Sequence, residues 1–522
     1  MITRYAPDGL VAAANHLAAA AGAAILDRGG NAADAAIVAA AAMAVTAPHM
    51  CGLGGDMFAV VVAPGEAPAA LNGSGRAGSG ADAAALRAEG HSRIPFQGDI
   101  RAVTIPGLVD GLVALHERYG TLPLEDLLTP AVRLARDGFP VSPTLAQASE
   151  LLPAQARLLA FGSAEQLVCG RRAVVPGIAG ALAQVASGGR AAFYEGSVGA
   201  ELRALGGGLF SEDDLSALQA DWVKPLSLTA FGRDLWTVPP NSQGYLTLAG
   251  AWIAEAVGVP DEPDDELWAF VLVEAARQAA HDRVAVLHEH ADGRKLLDPA
   301  KLGVRAEAIR ERASIGLADV YRDGGTTYLC AVDRQRMGVS LIMSNAADFG
   351  SQLVLPGQGI FLHNRGIGFS LAEGHPAQYG PGRRPPHTLS PLALTRTDGS
   401  LEAVMGTMGG DAQPQIVLQL LARAFVSDQR PGAALRAPRW FLSREEPTGF
   451  GVWEVDGLPI VRIEHNAPAE WAQGLARRGY EVIRSQPGDH SFGHAQMIRV
   501  TADDMLCGAA DPRPGDGACV GR

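Results

Sequence analysis

From Asp323 to Asn345 the chain reads DGGTTYLCAVDRQRMGVSLIMSN, and this stretch limits the fold more than any other. Two glycines meet two threonines, and the sequence then turns apolar and alternating. Gly-Gly is turn chemistry and β-branched Thr favours strands, so the simplest reading is a tight turn feeding the strands TTYLCAVD and GVSLIMSN. The Thr pair also divides the chain. Ahead of it the pattern is helical. Residues 9–28 read as a buried helix ended by Gly29-Gly30, Asn31 caps AADAAIVAAAAMAVTA, and GLVDGLVALHERYG and PLEDLLTPAVRLARDG read as amphipathic helices closed by glycine. CGLGGDMFAVVVAP reads as a Gly-rich turn into an apolar strand, without the spacing of a phosphate loop. Residues 140–320 continue as mostly helix with short loops, through RAEAIRERA and SIGLADVYRDGG. Behind the pair come short strands, including GIFLHN, then a Pro/Gly-rich loop over roughly 371–388. LEAVMGTMGGDAQPQIVLQLLARAF reads strand, Gly-Gly, helix. Helices in the first three-fifths and strands in the remainder predict an α+β body, a four-layer αββα sandwich with two sheets held between helices.

The totals narrow the function classes. Hydrophobic residues make up 48% of the 522 and charged ones 19%, so there is ample material for such a core. The net charge of −13, with no basic stripe, argues against a nucleic-acid partner. Cys51, Cys169, Cys330, Cys507 and Cys519 are scattered, odd in number and without metal spacing, which fits a reducing compartment. The Ala-rich N-terminus lacks a basic segment and a strong apolar core, and Asn15 and His16 interrupt it. No apolar run reaches membrane-spanning length. The expectation is a soluble cytoplasmic protein that binds no membrane and needs no metal or cofactor.

A Thr hydroxyl is a weak nucleophile until a base sits beside it. One compact solution makes the Thr the first residue of a chain, so that its own α-amine is the base. An internal Thr reaches that state only if the preceding peptide bond is cut, and Gly324-Gly325 gives an open, flexible place for the cut. Acyl transfer also needs donors for the tetrahedral oxyanion. Gly409 and Gly410 end a strand ahead of a helix and are placed to supply backbone N–H groups.

With those pieces assembled, the sequence resembles the γ-glutamyltranspeptidase family of N-terminal-nucleophile hydrolases. GGNAADAAIVAAAAMAVTAPHMCGLGGDMF, TIPGLVDGLVALHERYG, GGTTYLCAVD, GQGIFLHN, LSP, GTMGG, APRW and GAADPR occur in family order, across nearly all of residues 8–515. The resemblance implies the αββα fold of that superfamily and a proenzyme that cuts itself before Thr326. The products would be a large segment, 1–325, and a small one, 326–522, forming one folded body. It implies Thr326 as nucleophile, Ser344 as the hydroxyl that hydrogen-bonds it, and Gly409 and Gly410 as the oxyanion glycines.

Several positions depart from the family pattern. The carboxylate that usually holds a substrate α-amine is Gly368 in HNRGIGFS, with Arg365 ahead of it. Ala346 replaces an Asn, with Asn345 beside it, and the usual Ser-Ser pair becomes His387-Thr388. At the carboxylate-binding Arg position stands Ser74, with Arg76 two residues on. The site has thus lost an amine partner and gained Arg365, Arg76 and His387 as candidate anion binders, while Asp411 is the one alternative partner for an amine. This looks like the divergent acylase and amidase branch, and it implies a small-molecule amide whose acyl group carries a carboxylate, of the oxamate or glutaryl type. The alternatives are a genuine γ-glutamyl transferase or glutathione hydrolase, and a catalytically silent scaffold.

Overall fold

The computed structural model describes residues 2–163, 167–309, 325–443 and 460–522. Two seven-stranded antiparallel sheets lie face to face. One runs, edge to edge, Ala518–Gly521, Gly9–Ala13, Thr326–Asp333, Gly338–Ser344, Asp56–Val62, Ala69–Gly73, Asp221–Val223. The other runs Arg4–Ala6, Leu506–Ala510, Ala495–Val500, Leu401–Thr407, Leu392–Thr395, Arg233–Thr237, Leu226–Ala230. The hairpin expected after Gly325 forms, with Thr326 opposite Ser344.

Alternation along these strands builds the layers. Tyr328, Cys330, Val332 and Ile342 turn toward the second sheet and meet Leu10, Phe58, Val60, Val404 and Ile498. Leu329, Ala331, Leu341 and Met343 turn the other way, into a core shared with helices His16–Asp27, Ala32–Thr46 and Leu124–Asp137. Every residue of Ala32–Thr46 is buried, and a capping box between Asn31 and Asp34 starts it. Helices Tyr245–Val257, Glu266–Ala280 and Gln413–Phe425 cover the outer face of the second sheet. The fold is the expected αββα sandwich.

Two expectations need correction. The segment 9–28 is not one helix: Gly9–Ala13 is a strand, and the helix is His16–Asp27, capped by Asn15. The GLVAA strand pairs on both sides, with Thr326–Asp333 and Ala518–Gly521, and those tertiary partners override the helix preference of alanine. Residues 140–320 also carry the strands Asp221–Val223, Leu226–Ala230 and Arg233–Thr237, which finish one edge of each sheet, and the short strand Arg172–Ala173, which pairs with Phe139–Pro140. RAEAIRERA begins inside the helix Pro299–Glu307, whereas SIGLADVYRDGG, up to and including Gly324, lies outside the described residues. Both sheets take strands from either side of the Gly325–Thr326 bond. No described helix is long and apolar enough to cross a membrane.

Candidate active site

Strand register builds the centre. Thr326 lies opposite Ser344, and Ser344 lies opposite Asp56 on its other side. Alternation puts these three polar side chains in one row on the intersheet face, each at most 1% exposed. Thr326 Oγ1 is 2.9 Å from Ser344 Oγ, and Ser344 Oγ is 2.6 Å from the carbonyl oxygen of Gly325. A carbonyl can only accept, so the Ser344 proton goes to Gly325, and the Thr326 hydroxyl donates to Ser344. The N–H of Ala346 also donates to Ser344 Oγ, at 2.8 Å. Ala346 reaches back by adopting φ 74°, a left-handed conformation that costs a non-glycine residue about 1–2 kcal/mol. Thr327 faces the opposite side, across from Met343, and its buried hydroxyl has no partner among the described residues.

Arg365 stands over this row. It opens the short turn Arg365–Gly368 and is 1% exposed. Its Nη2 donates to Ser344 Oγ at 3.2 Å and its Nη1 to Thr388 Oγ1 at 3.1 Å. Burial lowers its pKa to about 10, against the pull of Asp56 and Asp411, so the guanidinium keeps its charge at neutral pH. Asp56 anchors the far side. One carboxylate oxygen accepts the N–H groups of Gly75 and Gly107, each at 3.1 Å. The other lies 3.2 Å from His387 Nε2 and 3.5 Å from His363 Nδ1. Burial works to raise the Asp56 pKa, but His363, His387 and Arg365 together hold it down at about 2.

His387 differs from its expected role. It is fully buried, packs edge-on against Phe58 at 4.7 Å, and has its pKa pushed down to about 3 by burial and then by Arg365. A neutral imidazole that donates to Asp56 is not a cation offered to an anion. Arg76 is also spoken for: its Nη2 lies 3.0 Å from Asp221 and its Nη1 3.9 Å from Glu289. Ser74, at the alternative position, bonds to Asn72 and Asn241. Asn345 donates to the carbonyl of Pro48. Asp411 is buried and forms an ion pair with Arg283 at 3.2 Å. Gly368 has no room for a side chain, since a Cβ there would stand 2.5 Å from the carbonyl oxygen of Pro386.

Gly409 and Gly410 have φ of 135° and 52°, a pair of conformations that favours glycine. They end the strand Leu401–Thr407 and lead into Gln413–Phe425. Gln243 ties this turn to Arg365's partner by donating to the carbonyls of Gly410 and Thr388, 3.0 Å each. Asp56, His363 and Gln243 went unremarked in the sequence. The only signal was a carboxylate leading the wholly apolar strand of CGLGGDMFAVVV, a place where a charge needs a buried partner. Among the described residues no three His, Cys, Asp or Glu side chains gather closely enough to hold a metal ion.

Known proteins share this arrangement of elements. The Gamma-glutamyltranspeptidase family profile matches residues 18–521. The Glutathione hydrolase-like YwrD proenzyme of Bacillus subtilis (strain 168) is 35% identical over 534 residues, covering 98% of each chain. The Oxamate amidohydrolase proenzyme of Klebsiella pneumoniae is 35% identical over 532 residues, again covering 98% of each. The crystal structure of a cephalosporin acylase from Bacillus halodurans superposes with a TM-score of 0.90 at 32% identity, over all of this chain and 97% of that one.

Proposed function

The chain belongs to the gamma-glutamyltranspeptidase family, and from that premise we propose that it cuts itself at Gly325–Thr326 and then hydrolyses amides of short acyl groups that carry a carboxylate but no α-amine. In the cut, Thr326 Oγ1 attacks the carbonyl carbon of Gly325. Ser344 donates to the carbonyl oxygen as it gains charge. The C–N bond breaks, the Thr326 nitrogen takes the hydroxyl proton, and water hydrolyses the resulting ester. The freed α-amine is then the base next to its own hydroxyl. In turnover it takes the Oγ1 proton as the oxygen attacks the substrate carbonyl. The N–H groups of Gly409 and Gly410 receive the oxyanion, the amine departs with the proton, and water releases the acid from the acyl-enzyme. No step draws on a metal or cofactor.

The position of Arg365 carries the substrate reading. Two hydrogen bonds, of 3.2 and 2.9 Å through Ser344, separate its guanidinium from the nucleophile. A guanidinium pairs well with a carboxylate, and one so close to Thr326 favours a short acid such as an oxamate-type acyl group. A substrate α-amine would need a counter-charge, and burying it without one is costly. Gly368 supplies none, and Arg283 already offsets Asp411.

The test compares kcat/KM for a γ-glutamyl anilide and its des-amino glutaryl analogue on the matured enzyme and on Arg365→Ala. The glutaryl compound should be better by at least about tenfold, worth roughly 1.4 kcal/mol, and Arg365→Ala should lose most of its turnover. Equal or better turnover of the γ-glutamyl compound would restore the ordinary transpeptidase reading.

A further inference from the structure

Gly325 sits in a tight place, although its sequence suggested an open one. It is buried, and a Cβ built on it in the L position would stand 2.6 Å from the carbonyl oxygen of His49 and 2.8 Å from that of Ala347. Both separations are too short for a real carbon–oxygen contact, so a side chain there would have to push backbone aside.

Neither carbonyl is loose. The His49 oxygen accepts the N–H of Phe349 at 3.0 Å, and the Ala347 oxygen accepts the N–H of Gly350 at 2.8 Å, which closes a tight turn. The N–H of Ala347 donates to Asn364 Oδ1 at 3.0 Å, and Asn364 Nδ2 donates to the carbonyl of Phe96 at 2.8 Å. His49, Ala347, Phe349 and Asn364 are each at most 4% exposed. Packed, hydrogen-bonded backbone of this kind yields far less than the end of a flexible side chain.

Gly325 is also the acyl half of the bond that is cut. Once Thr326 Oγ1 has attacked, the Gly325 carbonyl carbon is held on that oxygen as an ester, the same kind of intermediate that a substrate acyl group forms there. The two walls belong to segments distant in sequence from the new chain end, so they remain when Gly325 departs to admit a substrate.

We propose that the space filled by Gly325 Cα is the subsite for the substrate carbon next to the reacting carbonyl, and that its two carbonyl walls reject a substituent on that carbon in the L configuration. This rests on the amide-hydrolase reading above and adds the shape of the acyl group. A glutaryl group places a CH2 there and fits. An α-linked peptide places a substituted L α-carbon there and is refused, so the enzyme takes amides of unbranched acids and leaves ordinary peptide bonds alone.

The experiment uses activated esters, which acylate Thr326 without any amide being cleaved. Matured enzyme is mixed with the 1-p-nitrophenyl ester of (R)- or of (S)-2-methylglutaric acid. Thr326 Oγ1 bonds to the acyl carbon, the α-amine takes the hydroxyl proton, p-nitrophenolate leaves, and the mass of the 326–522 fragment reports the new ester. The R compound carries its methyl where an L side chain would stand. As mirror images the two esters react equally in buffer, so any difference comes from the subsite. The R ester should acylate at least about fivefold more slowly than the S ester, the lower end of the cost of forcing a methyl into a packed site. A smaller difference overturns the proposal. In a second arm, self-cleavage of Gly325→Ala is followed on a denaturing gel and should be slower than that of the parent by at least about fivefold. A smaller effect means that the walls give way, and it too overturns the proposal. Selective acylation by an enzyme that leaves a glutaryl anilide intact would keep the subsite and overturn the hydrolase reading. Turnover of the anilide with no difference between the esters would keep the hydrolase and overturn the subsite. If Gly325→Ala fails to fold, the esters decide alone, because they need only the parent enzyme.

Discussion

Ser344→Ala removes one oxygen that four groups share. Two of its contacts orient it: the Ala346 N–H at 2.8 Å and Arg365 Nη2 at 3.2 Å. The other two go to the atoms that would react in the proposed cut, Thr326 Oγ1 at 2.9 Å and the Gly325 carbonyl oxygen at 2.6 Å. Only those two act directly on the barrier to self-cleavage. At about 1–1.5 kcal/mol for each buried hydrogen bond, their joint loss raises the barrier by about 2–3 kcal/mol and slows cleavage roughly 30- to 160-fold. Fresh precursor from short expression is followed on a denaturing gel, and the rate of conversion is compared between the parent, Ser344→Ala and Ser344→Thr. The threonine variant keeps the hydroxyl and should recover most of the rate. Cleavage of Ser344→Ala within about fivefold of the parent would refute the role given to this hydroxyl.

Thr326→Ala should give only uncut, inactive chain, whereas Thr327→Val should cut normally, because the Thr327 hydroxyl faces the helical layer; the same gel reads both. Gly368→Ala should lower thermal stability by about 1–3 kcal/mol by forcing a Cβ onto the Pro386 carbonyl, and Gly368→Asp should not restore γ-glutamyl turnover. His49, His387 and His494 each have their pKa lowered to about 3 by burial, so the folded chain keeps them neutral where the unfolded chain protonates them. The unfolded state then binds more protons between pH 6.5 and about 3. Stability should fall as pH drops through that window, by up to about 1.4 kcal/mol per unit for each histidine. A melting temperature that stays flat from pH 7 to about 4.5 would contradict this.

The sequence announced what local chemistry decides. The Thr326–Ser344 hairpin follows from period-two alternation behind a Gly-Gly, the Asn31 cap from its place before an apolar run, and the Gly409-Gly410 turn from strand–glycine–helix order. What it hid depends on partners distant in the chain. Gly9–Ala13 sits in an Ala-rich run with no period of its own, and only its two neighbouring strands make it β. The strands of 221–237 are three to five residues long, too short to show a pattern against the helices around them. At the site, residue types were legible but their states were not. His387 reads as a possible cation until burial and Arg365 hold it neutral, donating to Asp56, and Arg76 reads as an anion binder until Asp221 and Glu289 take its charge. Arg365 reads as a candidate anion binder, but only the fold shows it laid against Ser344.

The proposed chemistry requires Thr326 to become the first residue of a chain. The direct measurement is N-terminal sequencing of the smaller fragment from the purified, self-matured protein, with amide hydrolysis assayed on the same sample. The fragment should begin Thr326-Thr327-Tyr328, and activity should rise in step with its appearance. An intact 522-residue chain that hydrolyses the amide, or a fragment that begins at another residue, would contradict that chemistry.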